Sequence, residues 1–236
     1  MPSQAAAASW PVWRRLRQET LELLFPTRCV GCGSPGAIWC EACQARLVLV
    51  PTPVCLACRQ AIAPNIRRHP CPDSSARAWA AARYQAPLDR ALTHLKYRPD
   101  PRLIEAFAAM LRDVYQRAEV DASCVAAVPL GPRRLRQRGY NQAELLGRAL
   151  SESLRLPFYS SAASRIRETA SQVGLDPKAR AGNVDGAFQA DPSLVAGHVV
   201  LLIDDVHTTG ATLAACADAL TQAGALRVVG LTMGRA

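Results

Sequence analysis

The sequence predicts an α/β fold, a parallel sheet with flanking helices, preceded by a small cysteine-rich N-terminal module. Three observations predict it. Residues 199–203, VVLLI, are an uncharged, partly β-branched run without alternation, the pattern of a strand buried on both faces of a parallel sheet. Other apolar strand patterns alternate with helical ones along the chain, as in a doubly wound sheet. Cys29, Cys32, Cys40 and Cys43, in two C-x-x-C turns, precede them all.

In chain order, residues 1–25 contain an amphipathic helix over 12–25, with Arg14, Arg15 and Arg17 on its polar face, suited to packing on its own protein or to docking elsewhere. Residues 26–73 form the cysteine module, which ends at the turn-rich PCPDSSARA, and residues 74–236 form the α/β domain. The domain reads as a strand at 78–84, helices at 88–97 and 103–117, a strand at 124–129 and a helix at 141–154. A short strand near Phe158, a long polar section over 165–183, the strand at 199–203, a helix at 213–223 before Gly224 and a last strand at 227–233 follow.

A chain of 236 residues, half of them apolar, can bury a real core, and its net charge of +9 favours an anionic ligand or partner. No apolar stretch reaches the length of a membrane span, and the N-terminus lacks the apolar segment of a signal peptide, so a cytoplasmic protein without a membrane span is expected. In a reducing compartment the two C-x-x-C turns favour metal over disulfides, and four thiolates suit tetrahedral, structural Zn²⁺; a redox dithiol is the alternative. The next cysteines are less regular. Cys55, Cys58, His69 and Cys71 make either a second Cys₃His site or a metal-free knuckle. Cys124 and Cys216 fall in apolar patterns and read as buried small hydrophobes.

The 199–203 strand runs into Asp204 and Asp205, then His207-Thr208-Thr209-Gly210-Ala211-Thr212 and a helix. A strand, a hydroxyl-rich turn and a helix N-terminus make an anion site, because free backbone N–H groups converge there. Two carboxylates beside a phosphate site make sense if one ligand carries both a phosphate and a diol, as a ribose 5-phosphate does. A helix cap with an acidic turn is the simpler alternative, and no Walker loop is present.

The run RRLRQR (133–138) is open to three roles: tracking a nucleic-acid backbone, gripping a pyrophosphate, or lying solvated. The preceding Val128-Pro129-Leu130-Gly131 can wrap a diphosphate with backbone amides while Arg133 or Arg134 supplies bidentate donors. Asn141 suits a helix cap or a ligand contact, and Tyr140 packing or stacking. Lys96 can meet a phosphate or simply oppose a helix dipole. The polar 165–183 section suits a lid or an exposed loop.

VVLLIDDVHTTGAT resembles the phosphoribosyl-pyrophosphate motif of type I phosphoribosyltransferases. VPLGPRRLRQRGYNQAELLGRAL, HLKYRPD and RIRETASQVGLDPKARAGNVDGAF resemble blocks of the ComF family, which joins an N-terminal zinc ribbon to a type I phosphoribosyltransferase-like domain and includes competence proteins. The likeness runs from Phe25 onward and departs at the second cysteine set, where a closing C-x-x-C pair is expected.

The resemblance implies that Asp204 and Asp205 hold the ribose 2′- and 3′-hydroxyls. Thr208, Thr209, Gly210, Ala211 and Thr212 would cradle the 5-phosphate. Leu130 with Arg133 or Arg134 would take the pyrophosphate with Mg²⁺, and Asn141, Gln172, Arg180 and Asn183 would complete the site, the last three in a hood. The implied chemistry is displacement of pyrophosphate at the ribose C1, on an acceptor that no local motif identifies. The alternative is a protein of DNA uptake or recombination that keeps the ribose-phosphate site as a ligand sensor. It would bind single-stranded DNA through the zinc ribbon and residues 133–138, with Tyr97 and Tyr140 as stacking platforms, and meet the DNA-uptake machinery.

Overall fold

A computed structural model describes residues 26–62, 71, 76–167 and 186–236. The expected helix over 12–25, His69 and the hood residues Gln172, Arg180 and Asn183 lie outside the described residues.

The elements are α1 (Glu41–Ala45), β1 (Val54–Cys55), β2 (Arg77–Arg83), α2 (Leu88–Tyr97), α3 (Pro101–Arg117), β3 (Cys124–Ala127), α4 (Pro132–Arg138) and α5 (Gln142–Leu154). They continue with β4 (Ala163–Arg165), β5 (Phe188–Ala190), α6 (Pro192–Val195), β6 (Val199–His207), α7 (Ala211–Gln222) and β7 (Arg227–Arg235). The main sheet has the order β1-β2-β7-β6-β3. Its β2, β7, β6 and β3 run parallel, and β1, from the cysteine-rich segment, closes one edge antiparallel to β2. This is the α/β class that the sequence predicts. The short β4 and β5 form a separate antiparallel pair.

Central strand β6 explains its own composition. Leu201 and Ile203 pack into a core with Leu92 of α2, Phe107 and Leu111 of α3 and Leu146 and Leu150 of α5. Val200 and Leu202 pack on the opposite face with Leu213, Cys216, Ala217 and Leu220 of α7. With both faces covered, no position of the run can be polar.

Two local rules set helix starts. Asp100 accepts from the Arg102 amide at the head of α3, and Pro101 occupies the first turn, where its missing N–H costs nothing. The helix therefore begins two residues before the position expected from its apolar periodicity. Asn141 caps α5 through its Oδ1, which accepts from the Ala143 amide at 3.1 Å.

Two expectations need correction, and one gap is filled. The strand read as 199–203 extends through His207, because β7 supplies parallel partners as far as Arg235. The 133–138 arginines, whose local structure the sequence left unassigned, form helix α4, capped by Gly139 at φ 81°. The strand expected near Phe158 is a single bridge to Val125.

The cysteine module is fastened to this framework. Cys29, Trp39 and Cys43 share a core with Leu88 and Leu92, and Trp39 meets Phe107 edge to face with ring centroids 5.6 Å apart. The Arg90 guanidinium donates to the Gly31 carbonyl at 3.1 Å.

Candidate functional site

Parallel sheets present ligands at the carboxyl ends of their strands. Here that end opens into a cleft of about 650 Å³, lined by Asp204 to Leu213, by Val128, Pro129 and Leu130, and by Lys96, Arg134, Arg138, Asn141 and Gln142. The fold thus brings the β6 carboxylates and the Thr-Gly loop that follows them into one cleft with the segment after β3, which is far from them in sequence.

Because Asp204 and Asp205 are successive residues of a strand, they face opposite sides of the sheet. Asp205, buried on the α5 side, accepts from Gln142 Nε2 at 2.9 Å and lies 3.7 Å from Lys96 Nζ. Arg138 donates to Gln142 Oε1, so one relay runs from guanidinium through amide to carboxylate. Asp204, on the α7 side, lacks such partners among the described residues beyond the Asp205 amide, which donates to it at 2.9 Å. Desolvation at the cleft floor and the neighbouring Asp205 charge raise its pKa well above the usual carboxylate range.

Next to the carboxylates, Thr208 and Thr209 lead to Gly210, whose φ of 74° turns the chain into α7. The turn leaves the first amides of a twelve-residue helix facing the cleft, the arrangement that binds anions. Thr209 Oγ1 accepts from the Ala211 amide at 3.4 Å.

Helical spacing sorts the arginine run. Arg134 and Arg138, four residues apart, lie on one face of α4 and line the cleft, whereas Arg133 is not among the lining residues. Asn141 lines the cleft with its side chain engaged inside the protein: besides capping α5, its Nδ2 donates to the Val128 carbonyl at 2.9 Å. It thereby anchors the Val128–Leu130 segment to α5. Tyr140 donates its hydroxyl to the Leu95 carbonyl at 2.8 Å, while Tyr97 stands 78% exposed.

Sequence reasoning missed Gln142, Arg138 and His207 as individual site residues. The first two are four residues apart but belong to different helices, α4 and α5, with Gly139 turning between them, so their spacing carried no helical signal. His207 is buried, its Nδ1 is 2.8 Å from Thr232 Oγ1, and burial followed by the Arg235 charge brings its pKa down to about 4.

The sulfurs of Cys29, Cys32, Cys40 and Cys43 lie within 4.8 Å of one another, with Cys29–Cys43 and Cys32–Cys40 each at 3.6 Å. Thiolates about 2.3 Å from a tetrahedral zinc ion stand roughly 3.8 Å apart, so this cluster fits structural zinc. Hydrogen bonds from Ser34 bring the Cys32 thiol down to about 6, towards the thiolate that a metal takes. Cys55, Cys58 and Cys71 form a second group on the same distance criterion.

No helix among the described residues is long and apolar enough to cross a membrane. No family model matches the chain. A solved structure of glutamine phosphoribosylpyrophosphate amidotransferase from B. subtilis, complexed with ADP and GMP, is 21% identical at a TM-score of 0.41, covering 59% of this chain. The chain spans only 30% of that protein's length, and so loose a superposition supports no inference about the site. Among curated proteins, the DNA utilization protein YhgH of Escherichia coli (strain K12) is 30% identical over 217 residues, 82% of this chain and 94% of the relative. Competence protein F of Haemophilus influenzae is 41% identical over 91 residues, covering 38% of this chain and 40% of the relative. Competence protein ComFC of Bacillus subtilis is 28% identical over 142 residues, 60% of this chain and 56% of the relative. With the YhgH likeness extending over nearly the whole relative, the chain belongs to the ComF family.

Proposed function

We propose that the cleft binds phosphoribosyl pyrophosphate, or a related ribose phosphate, with Mg²⁺. The observation that carries this reading is that paired carboxylates at the end of β6 share one cleft with a Thr-Gly loop at the head of α7 and with Arg134, Arg138 and Lys96. The α7 amides and the Thr208, Thr209 and Thr212 hydroxyls take the 5-phosphate, and Asp204 and Asp205 accept from the ribose hydroxyls. Arg134 and the Val128–Leu130 backbone take the pyrophosphate, with Arg133 at the outer edge of α4. Gln172, Arg180 and Asn183 cover the ligand. Cys29, Cys32, Cys40 and Cys43 hold structural zinc in a ribbon over residues 26–73.

Mg²⁺ suits the donor set, because two adjacent carboxylates, one of them with a raised pKa, gain from a divalent cation. When bound, it neutralises charge on a leaving pyrophosphate. Transfer to an acceptor would require no protein nucleophile: cations placed on the leaving group and carboxylates beside the ribose would stabilise an oxocarbenium-like transition state.

Titration calorimetry with phosphoribosyl pyrophosphate and Mg²⁺ tests the reading. The intact protein is expected to bind and the Asp204→Asn/Asp205→Asn variant to fail. Absence of binding to the intact, folded protein overturns it. An acceptor screen for pyrophosphate release then separates turnover from sensing.

A second reading is favoured by exposed Tyr97 at the end of α2 and by α4, none of whose residues is buried. Aromatic platforms beside arginines suit single-stranded DNA, and relatives are named for DNA utilization and competence. On this reading the protein acts with the DNA-uptake machinery and the ribose-phosphate site is a sensor. Steep salt dependence of oligonucleotide binding, lost in an Arg133→Ala/Arg136→Ala variant, is expected.

A further inference from the structure

Gln142 is 6% exposed, and its amide is engaged at both ends: Oε1 accepts from the Arg138 guanidinium and Nε2 donates to Asp205 Oδ2 at 2.9 Å. A side chain between a cation and an anion must accept from the one and donate to the other. Glutamate would meet Arg138 but oppose Asp205, and lysine would do the reverse. The amide serves both, and its two neighbours leave it a single orientation.

The contacts around the amide carry that orientation into the cleft. Asp205 Oδ1 accepts from the Val206 amide at 2.8 Å, while Oδ2 takes Gln142 and faces Lys96 Nζ at 3.7 Å, so the carboxylate plane is held through both oxygens. Arg138 is the last residue of α4, a helix with no buried residue, and it lines the cleft. A guanidinium carries several N–H donors, so Arg138 can hold Gln142 and still meet an anion. The joint between α4 and α5 is itself pinned. Tyr140 donates to the Leu95 carbonyl, one residue before Lys96, and Asn141 Nδ2 donates to the Val128 carbonyl. With the joint fixed, Gln142 is the link through which Arg138 and Asp205 feel each other.

We propose that Gln142 is a positioning residue that holds Arg138 and Asp205 together in their ligand-binding orientations, so that one amide sets both the anion subsite at α4 and the diol subsite at β6. Fixing both side chains before a ligand arrives lowers the ordering cost of binding. Loss of Arg138 then weakens the ribose end through Gln142, and not only through lost charge. The ligand assignment rests on the ribose-phosphate reading above, whereas the relay itself does not.

Calorimetric titration of ribose 5-phosphate in Mg²⁺ buffer into the full chain, arranged as a double-mutant cycle, tests this. Arg138→Met should weaken binding about fivefold with Gln142 present and less than about 1.5-fold in a Gln142→Met background. Arg134→Met removes the same charge from the same helix face outside the relay, and should weaken ribose 5-phosphate less than about twofold. Because α4 buries no residue, both arginine variants should keep the fold. Equal losses from Arg138→Met in the two backgrounds, or equal losses from Arg134→Met and Arg138→Met, overturn the coupling: charge acting through space, or a merely structural Gln142, gives those results. Without ligand, the Gln142 side-chain amide resonance should move in Arg138→Met and in Asp205→Asn but not in Arg134→Met. An unmoved resonance in Arg138→Met overturns the relay. If the intact, folded protein binds no ribose 5-phosphate, the ribose-phosphate reading falls and the coupling with it, while the resonance still decides the relay.

Discussion

Lys96 Nζ lies 3.7 Å from Asp205 Oδ2 and ties the last turn of α2 to the carboxylates of β6. Helix α2 also begins at the cysteine module, where Arg90 donates to Gly31, so one ten-residue helix, about 15 Å long, joins the two. The ammonium is partly exposed, which limits its worth. Lys96→Met should weaken binding of Mg²⁺-phosphoribosyl pyrophosphate about tenfold, or ~1.4 kcal/mol by calorimetry, with little change in thermal stability.

Asp204 should make that binding depend on pH. The form that accepts ribose hydroxyls or meets a cation is ionised, whereas desolvation and Asp205 favour the protonated form. Affinity should therefore rise with pH above the usual carboxylate range and flatten once Asp204 is ionised. A calorimetric series over pH checks this, and Asp204→Asn should lose most of the affinity together with the pH dependence.

His207 should shape stability in acid. A histidine whose folded pKa is depressed contributes stability above its unfolded value, and that contribution is lost as pH falls from 6.5 towards about 4. Denaturant midpoints measured across that window should fall with pH in the intact protein and less steeply in His207→Gln.

Asn141 does two jobs that substitution can separate. Asn141→Asp keeps the oxygen that caps α5 and loses the donor to Val128, whereas Asn141→Ala loses both. Asn141→Ala should cost about 1–2 kcal/mol in chemical denaturation, chiefly through the lost α5 cap, whereas Asn141→Asp should lose stability through the carboxylate it sets against the Val128 carbonyl and not through the cap.

Gly31 is held by close approach, since an added Cβ would stand 2.8 Å from Cys43 Sγ and 2.9 Å from Pro87 Cβ. Gly31→Ala should lower stability by about 1–3 kcal/mol and reduce zinc retention under a chelator challenge.

The two-faced burial of β6 was legible from residues 199–203, because a strand covered on both sides admits no polar position. The succession of strand, Thr-Gly turn and helix at 199–222 was likewise legible, since it lies in consecutive residues. The relay from Arg138 through Gln142 to Asp205 was not legible in the same way: it joins residues 63 apart, Gln142 and Asp205, across the packing of α5 on the sheet. The helical state of α4 was hidden by its lack of any buried face, which removes the periodic signal.

By itself the sequence determined the α/β class, the cysteine pairs and the local Asp-Asp-loop-helix order, because each is written in short-range spacing. Only the tertiary structure decided that β6 runs on through His207, that Asp204 and Asp205 face opposite sides of the sheet, and that Leu56 shares a core with Leu213 at the start of α7. Those outcomes depend on which strand supplies the partner amides and which segment fills the space behind a turn, and both are set by packing between residues distant in the chain.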